Sequence, residues 1–314
     1  MSKLLHVAQG QTSWKDILVC EIQKKKELKA LTPTVILCEL EKVIISNPSI
    51  LKHKVKNISL IKGKDDPNLL DTLIHTKSKE FKMLLKLTRE RMRRTYGLFR
   101  ARDSSELDEA LSAYLKNPSV RNVQTLLGLH ESTKERKPIY PTLYSDIFSS
   151  IVRLRGQEYK QGVRIVDLAC GLNPISVSVA PLKVIKYVGY DINTKEIDVL
   201  NHFFSSRKKN SVQQWLAIVG DIRSCEIEKG DVAFCFKILD VIDRNSGHTR
   251  SETLLSRIPC RFVVASFATK TMSGKPMTAP KRRWMEWLCH RLGWAFEILE
   301  FENEIFYIID KGPN

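Results

Sequence analysis

The chain has no run of about eighteen apolar residues, the shortest stretch that would span a membrane as a helix. Its seven cysteines (20, 38, 170, 225, 235, 260 and 289) form no CxxC pair. Neither a zinc site nor a disulfide framework is expected, and a reducing cytosol is. Met1 to Gly10 lacks the apolar core of a secretory leader, which speaks against export. Glycine is scarce in the front half, with five in residues 1–160, and no alternating strand pattern occurs there. Acidic residues are also in deficit, 35 against 51 Lys and Arg, for a net charge of +16. Disorder and low-complexity filaments are excluded by composition, since 43% of residues are hydrophobic and 27% charged over 314 residues, enough for one large domain or two ordinary ones.

The excess charge sits at the front. Residues 1–160 hold 30 basic and 18 acidic side chains, whereas residues 161–314 hold 21 and 17. An electropositive half beside a nearly balanced half points to a polyanion-binding module joined to something else. Apolar residues at helical spacing predict helices over Thr34–Ser46, Leu69–Thr76, Ser78–Thr95, Ser105–Leu115 and Ser119–Leu129. The period then changes. Short apolar runs at Val163–Leu168, Tyr187–Tyr190, Trp215–Val219, Asp231–Phe236 and Arg261–Phe267 read as strands, with helices over Thr194–Arg207, Arg250–Arg257 and Lys281–Leu292. Alternating strand and helix predicts a parallel α/β sheet with right-handed crossovers. The tail Trp294–Ile309 alternates around Glu302-Asn303, the signature of a terminal antiparallel hairpin. The expected organisation is an all-helical basic domain, residues 1–130, followed by an α/β domain, residues 131–314.

The first strand runs into Asp167-Leu-Ala-Cys-Gly-Leu-Asn-Pro174. A tight glycine turn there lets backbone approach a ligand closely. Pro174 removes an N–H that a phosphate cradle would use, so a cofactor without phosphate fits better. The second strand ends in Asp191, placed to accept ribose hydroxyls, and the third in Asp221-Ile222, placed to meet an adenine amine. Glycine turn and two acids at successive strand ends form a nucleoside pocket. Together with the terminal hairpin the pattern resembles a Rossmann-like class I S-adenosylmethionine methyltransferase.

Five stretches sharpen this: Leu127–Arg136 (LGLHESTKER), Asp167–Pro174, Val188–Ile192 (VGYDI), Phe236–Leu239 (FKIL) and Ser266–Lys275 (SFATKTMSGK). In this order, over roughly residues 120–314, the chain resembles the small-subunit (16S) ribosomal RNA guanine-N7 methyltransferases that confer aminoglycoside resistance. The resemblance implies S-adenosyl-L-methionine as cofactor and ribosomal RNA or the small ribosomal subunit as partner. It implies that His130, Glu131 and Ser132 line the cofactor pocket and that Arg136 pairs with the methionine carboxylate, a natural match for a guanidinium fork. It places Ala169 and Gly171 at the turn, Asp191 on the ribose, Asp221 and Ile222 on the adenine, and Phe236 against the cofactor. Asn245 stands where the family usually has Gln, and Asp240 where it usually has Pro.

For RNA, Arg89, Arg91, Arg93 and Arg94 on the basic helix are expected to grip the backbone. Lys270, Ser273 and Lys275 are expected to meet the substrate, and Phe267 to stack on an extruded base. Guanine N7 carries no proton, so no catalytic base is expected, only positioning. Three alternatives stand beside this reading. One is an RNA-binding or ribosome-assembly protein that kept the fold without turnover. Another is a methyltransferase of transfer RNA. The third is a ribose 2′-O methyltransferase using Lys237, Asp240, Lys270 and Glu302 or Glu304. The chain is expected to act as a cytoplasmic monomer, without metal and without a membrane.

Overall fold

The computed structural model describes residues 13–25, 28–51, 75–96, 104–156, 159, 161–207, 214–243, 247–271 and 274–313. The helix expected over Leu69–Thr76 lies almost wholly outside them. Two compact units divide the chain, Met1–Leu98 and Phe99–Asn314.

In the first unit, α1 (Trp14–Gln23) begins at Ser13, whose hydroxyl accepts from Asp16 N while the Asp16 carboxylate accepts from Ser13 N. This reciprocal cap satisfies donors that a helix start otherwise leaves orphaned. Helix α2 (Pro33–Ser46) starts with Thr32 as cap and Pro33 in the first turn, where a missing N–H costs nothing. Helix α3 (Lys79–Tyr96) is the long basic helix. Buried residues at helical spacing, Leu18 and Ile22, Ile36 and Leu40, and Leu84, form this unit's core. Each full burial contributes about 1.5–3 kcal/mol.

The second unit starts at Phe99, 32 residues before the expected boundary at 130/131. Helices α4 (Ser104–Lys116) and α5 (Val120–Gly128) are part of it. The reason is apolar packing: Leu107, Leu111, Tyr114, Leu126 and Leu127 share a buried cluster with Ile175, Ile197, Leu200 and Phe203. Next come α6 (Glu131–Arg136) and α7 (Tyr140–Arg155), which ends at Gly156 in a left-handed conformation. The sheet then alternates β1 (Val163–Leu168), α8 (Asn173–Val177), β2 (Val184–Asp191), α9 (Thr194–Arg207), β3 (Gln214–Val219), β4 (Gly230–Phe236), α10 (Leu239–Ile242), α11 (Thr249–Arg257), β5 (Cys260–Ala268), α12 (Arg283–Leu292), β6 (Ala295–Glu300) and β7 (Glu304–Asp310).

Strand order is β3-β2-β1-β4-β5-β7-β6, parallel through β5, with β7 antiparallel to both its neighbours. Both faces are covered, which is why the strands read as near-continuous apolar runs. The period of two is visible in β5: Phe262 and Val264 join the cluster with Leu143, Ile147 and Ile151 of α7. Val263, Ala265 and Phe267 face Leu254, Met285 and Leu288 of α11 and α12. The strand order reverses between β1 and β4, and ligands in such sheets bind outside the carboxyl ends of the strands at that crevice.

Among the described residues no helix is long and apolar enough to cross a membrane. Nor does any group of three or more His, Cys, Asp or Glu stand placed to hold a metal ion.

Candidate cofactor and RNA site

The turn after β1 carries two left-handed residues, Ala169 at φ 56° and Gly171 at φ 47°. A non-glycine residue there stores strain that the surroundings must hold. Here Gly171 N donates to Asp191 Oδ2 at 3.0 Å, and Asp191 Oδ1 accepts from Asn193 N at 2.9 Å. The β2 acid and the glycine turn are thus brought together. Glycine is required at 171 also for space: a Cβ would lie 2.8 Å from His130 Nε2. His130 is buried at the start of α6, with Ser132 Oγ 3.0 Å from its Nδ1. The stretch before β1 and the turn after it therefore meet. Glu131 is half-buried on the same helix and faces Lys134 at 3.8 Å.

Beneath the turn, Asp167 is 1% exposed and accepts from Asn173 Nδ2 at 2.8 Å and Tyr187 Oη at 2.5 Å. Burial pushes its carboxyl up to about 6, although both hydrogen bonds and Arg136 pull the other way. A raised acid pKa means that the folded state holds the proton more tightly than the unfolded chain. Stability is then lower when Asp167 is ionised above pH 6 and returns as pH falls through 6 toward 4. Relative to Asp167→Asn, the wild type should gain about 1 kcal/mol between pH 7 and pH 5, and up to about 3 kcal/mol by lower pH. Denaturant unfolding of both proteins across that range measures this, and a pH-independent difference would contradict it.

Arg136, at the end of α6, is 2% exposed, and Glu304, at the start of β7, is fully buried. Arg136 Nε donates to Glu304 Oε1 at 3.0 Å and Oε2 at 2.9 Å. Burial opposes its charge, but Glu304 outweighs this and raises the guanidinium pKa. Nη2 lies 2.9 Å from Glu304 Oε1 yet makes no aligned hydrogen bond. A buried guanidinium nitrogen thus keeps donor capacity for a further acceptor. The Phe236 ring lies 4.8 Å from the guanidinium carbon. Ser266 Oγ donates to Glu304 at 2.5 Å, and Lys237 Nζ is 3.4 Å from it. Lys237 holds a left-handed φ of 56°, anchored by its N–H on Ser266, and its ammonium also pairs with Glu135. Sequence reasoning missed Glu304 as the partner of Arg136. Its only signal was an acid at the head of a strand whose next five residues are apolar.

At the end of β3, Ile222 is buried, and the Asp221 carboxylate is engaged by Arg223 Nε at 2.8 and 3.0 Å. An adenine amine would share that carboxylate with a guanidinium. Asn245 lies outside the described residues.

The RNA expectations fare unevenly. Arg89 donates to Glu21 O at 2.5 Å, and Arg91 Nε to the buried Glu39 at 2.5 Å. These two arginines tie α3 to α1 and α2, a role in the fold of the first unit. Arg93 is exposed on the helix, and the side chain of Arg94 lies outside the description. Phe267 must be corrected: it is 1% exposed, flanked edge-on by Trp284 and Tyr307 and covered by Arg282 at 5.0 Å. No base can stack on a ring closed in on these sides. Lys270 pairs with Glu302 at 2.6 Å, Lys275 is exposed beyond the Gly274 turn, and Ser273 lies outside the described residues. Asp240 pairs with Arg282 at 3.0 Å. The four groups of the 2′-O alternative therefore sit in three separate pairings: Lys237 with Glu304, Lys270 with Glu302 and Asp240 with Arg282.

The sequence model of the family described as "Ribosomal RNA methyltransferase (FmrO)" matches residues 86–308. A curated 16S rRNA (guanine(1405)-N(7))-methyltransferase of Serratia marcescens is 32% identical over 212 residues, 65% of this chain and 76% of that protein. One of Proteus mirabilis is 27% identical over 59% of this chain and 64% of its own length. Among solved structures, the 16S rRNA methyltransferase RmtF in complex with S-adenosyl-L-homocysteine superposes with a TM-score of 0.68 at 19% identity, covering 96% of this chain and 100% of that one. The 16S rRNA methylase RmtB gives 0.65 at 22% identity, covering 95% and 98%. At such identities the structures speak for the fold alone.

Proposed function

The chain belongs to the ribosomal RNA methyltransferase (FmrO) family, and we propose that it methylates N7 of a guanine in the decoding region of small-subunit (16S) ribosomal RNA with S-adenosylmethionine as donor. The observation that carries the reading is the meeting of His130 with the Gly171 turn, itself held by Asp191. These are three separated sequence stretches converging at the carboxyl edge of the sheet, where a nucleoside fits.

The donor set fits that cofactor. The buried Arg136 Nη2 without an aligned acceptor suits the methionine carboxylate. In this reading Asp191 holds the ribose, Asp221 and Ile222 the adenine, and His130, Glu131, Ser132, Ala169 and Phe236 form the walls. When bound, S-adenosylmethionine supplies a methyl group on a sulfonium.

The protein's own task is orientation. Guanine N7 has a lone pair in the ring plane and no proton, so the residues around it need only hold the purine in line with the methyl carbon and keep water out. Burial of Lys237 between Glu135 and Glu304 agrees with a site that uses its charges for position rather than as a free base. The relatives named for 16S rRNA methylation support the choice of substrate, as does the basic front half.

Incubation with labelled S-adenosylmethionine tests this. Label should enter 16S RNA of small subunits, and label in transfer RNA alone would overturn the assignment.

A further inference from the structure

We propose that the stacked rings of His248 and Trp284 form a landing surface for an unpaired RNA base beside the methyl acceptor, an inference that rests on the RNA-methyltransferase reading above. His248 precedes α11 and follows β4 by way of the one-turn helix α10, so it lies toward the carboxyl edge of the sheet. Its backbone is left-handed, at φ 69° and ψ 0°. A β-carbon disfavours that conformation, and residues kept in it cluster at functional sites. Asp243 holds the side chain: its Oδ2 is 3.3 Å from His248 Nδ1, and its Oδ1 accepts from Ser251 N at 2.9 Å. The imidazole lies parallel on the Trp284 indole, 4.2 Å between centroids and 5° between planes.

Trp284 stands edge-on to Phe267, and Phe267 lies under Arg282. The role that the sequence pointed to in Phe267 thus passes outward along a row of rings to one that solvent reaches. The His248 side chain remains 47% exposed although two contacts, with Asp243 and with Trp284, fix its orientation. Core packing gives no reason to strain and orient a ring and then leave half of it in water. A flat ring that another ring can stack on does. Arg250 and Arg283 are exposed nearby in sequence on α11 and α12 and supply the positive charge that a strand of phosphates seeks. Stacking on an aromatic platform accepts any base, so the surface serves holding rather than reading.

The test is steady-state methylation of small ribosomal subunits by the full-length protein, with cofactor affinity measured separately by calorimetry. His248→Ala should raise KM for the subunit about tenfold, the size expected of one lost base stack, with kcat and cofactor affinity unchanged. His248→Phe keeps both a ring and the same backbone strain and should stay within about twofold of wild type. An unchanged KM in His248→Ala overturns the proposal. So does a His248→Phe variant as impaired as the alanine, or a parallel loss of cofactor binding, which marks a structural role. A wild type that binds cofactor but methylates no RNA overturns the underlying reading, and this inference with it.

Discussion

Glu304→Gln should cost the sheet-bearing unit about 3–5 kcal/mol of stability, the range for breaking a buried ion pair from one side. The reason is the Arg136 guanidinium, 2% exposed, which would be left charged with no counter-ion. Arg cannot relieve this by releasing its proton. Lys237, 3.4 Å from the same carboxylate, would lose a partner too. For a unit of this size the melting temperature should fall by roughly 6–20 °C. The double variant Arg136→Met, Glu304→Leu removes both charges and should recover most of the stability, since apolar replacements of buried pairs are often neutral or better. It should not recover S-adenosylmethionine binding, because the guanidinium assigned to the methionine carboxylate is gone. Unfolding and calorimetry on the two variants separate the pair's structural and binding roles. A Glu304→Gln protein as stable as wild type would show that the pair is not the constraint its burial implies.

Asp191→Ala should weaken S-adenosylmethionine binding by about 1–3 kcal/mol, the range for hydrogen bonds to a charged group, which is roughly 5- to 150-fold in Kd. Two effects act together. The carboxylate is the expected acceptor for the ribose hydroxyls, and it also holds Gly171 N at 3.0 Å and Asn193 N at 2.9 Å. Losing the first weakens the contact itself. Losing the second loosens a turn that carries Ala169 and Gly171 in left-handed conformations. Asp191→Asn keeps one carbonyl acceptor but not the charge, and its affinity should fall between the two. Unchanged calorimetric affinity in the alanine variant would remove Asp191 from the cofactor site.

The strands were legible because their chemistry is local. β4 and β5 are short apolar runs between punctuating residues, and each lies within two residues of where its pattern places it. The glycine turn and the Asp191 strand end were legible for the same reason. Helix α7 was overlooked although Leu143, Ile147 and Ile151 repeat at helical spacing. Helix α1 was hidden among front-half lysines, yet Ser13 and Asp16 form its cap.

What needed the third dimension was pairing. Arg136 and Glu304 stand 168 residues apart, and no spacing rule joins them. The boundary expected at 130 parts the front-half helices from the α/β pattern, whereas the fold follows apolar contact: Leu107 and Leu111 pack with Phe203 and Leu200. Arg89 and Arg91 read as a phosphate grip because sequence shows cations and not the acids facing them. Phe267 ends a strand on the face that α12 covers, a fact carried by the packing of Met285 and Leu288. Asp240, the departure from the usual Pro, forms an ion pair with Arg282.

The most direct measurement of the central claim is the chemistry of the product. A guanine methylated at N7 carries a positive charge on its ring and a labile ribose bond. RNA from small subunits treated with the protein and S-adenosylmethionine should therefore be cut by borohydride and aniline at one position in the decoding-region helix, and mass spectrometry of the digest should find N7-methylguanosine there. RNA that carries a 2′-O-methyl nucleotide instead, or no methyl group although the cofactor binds, would contradict the account.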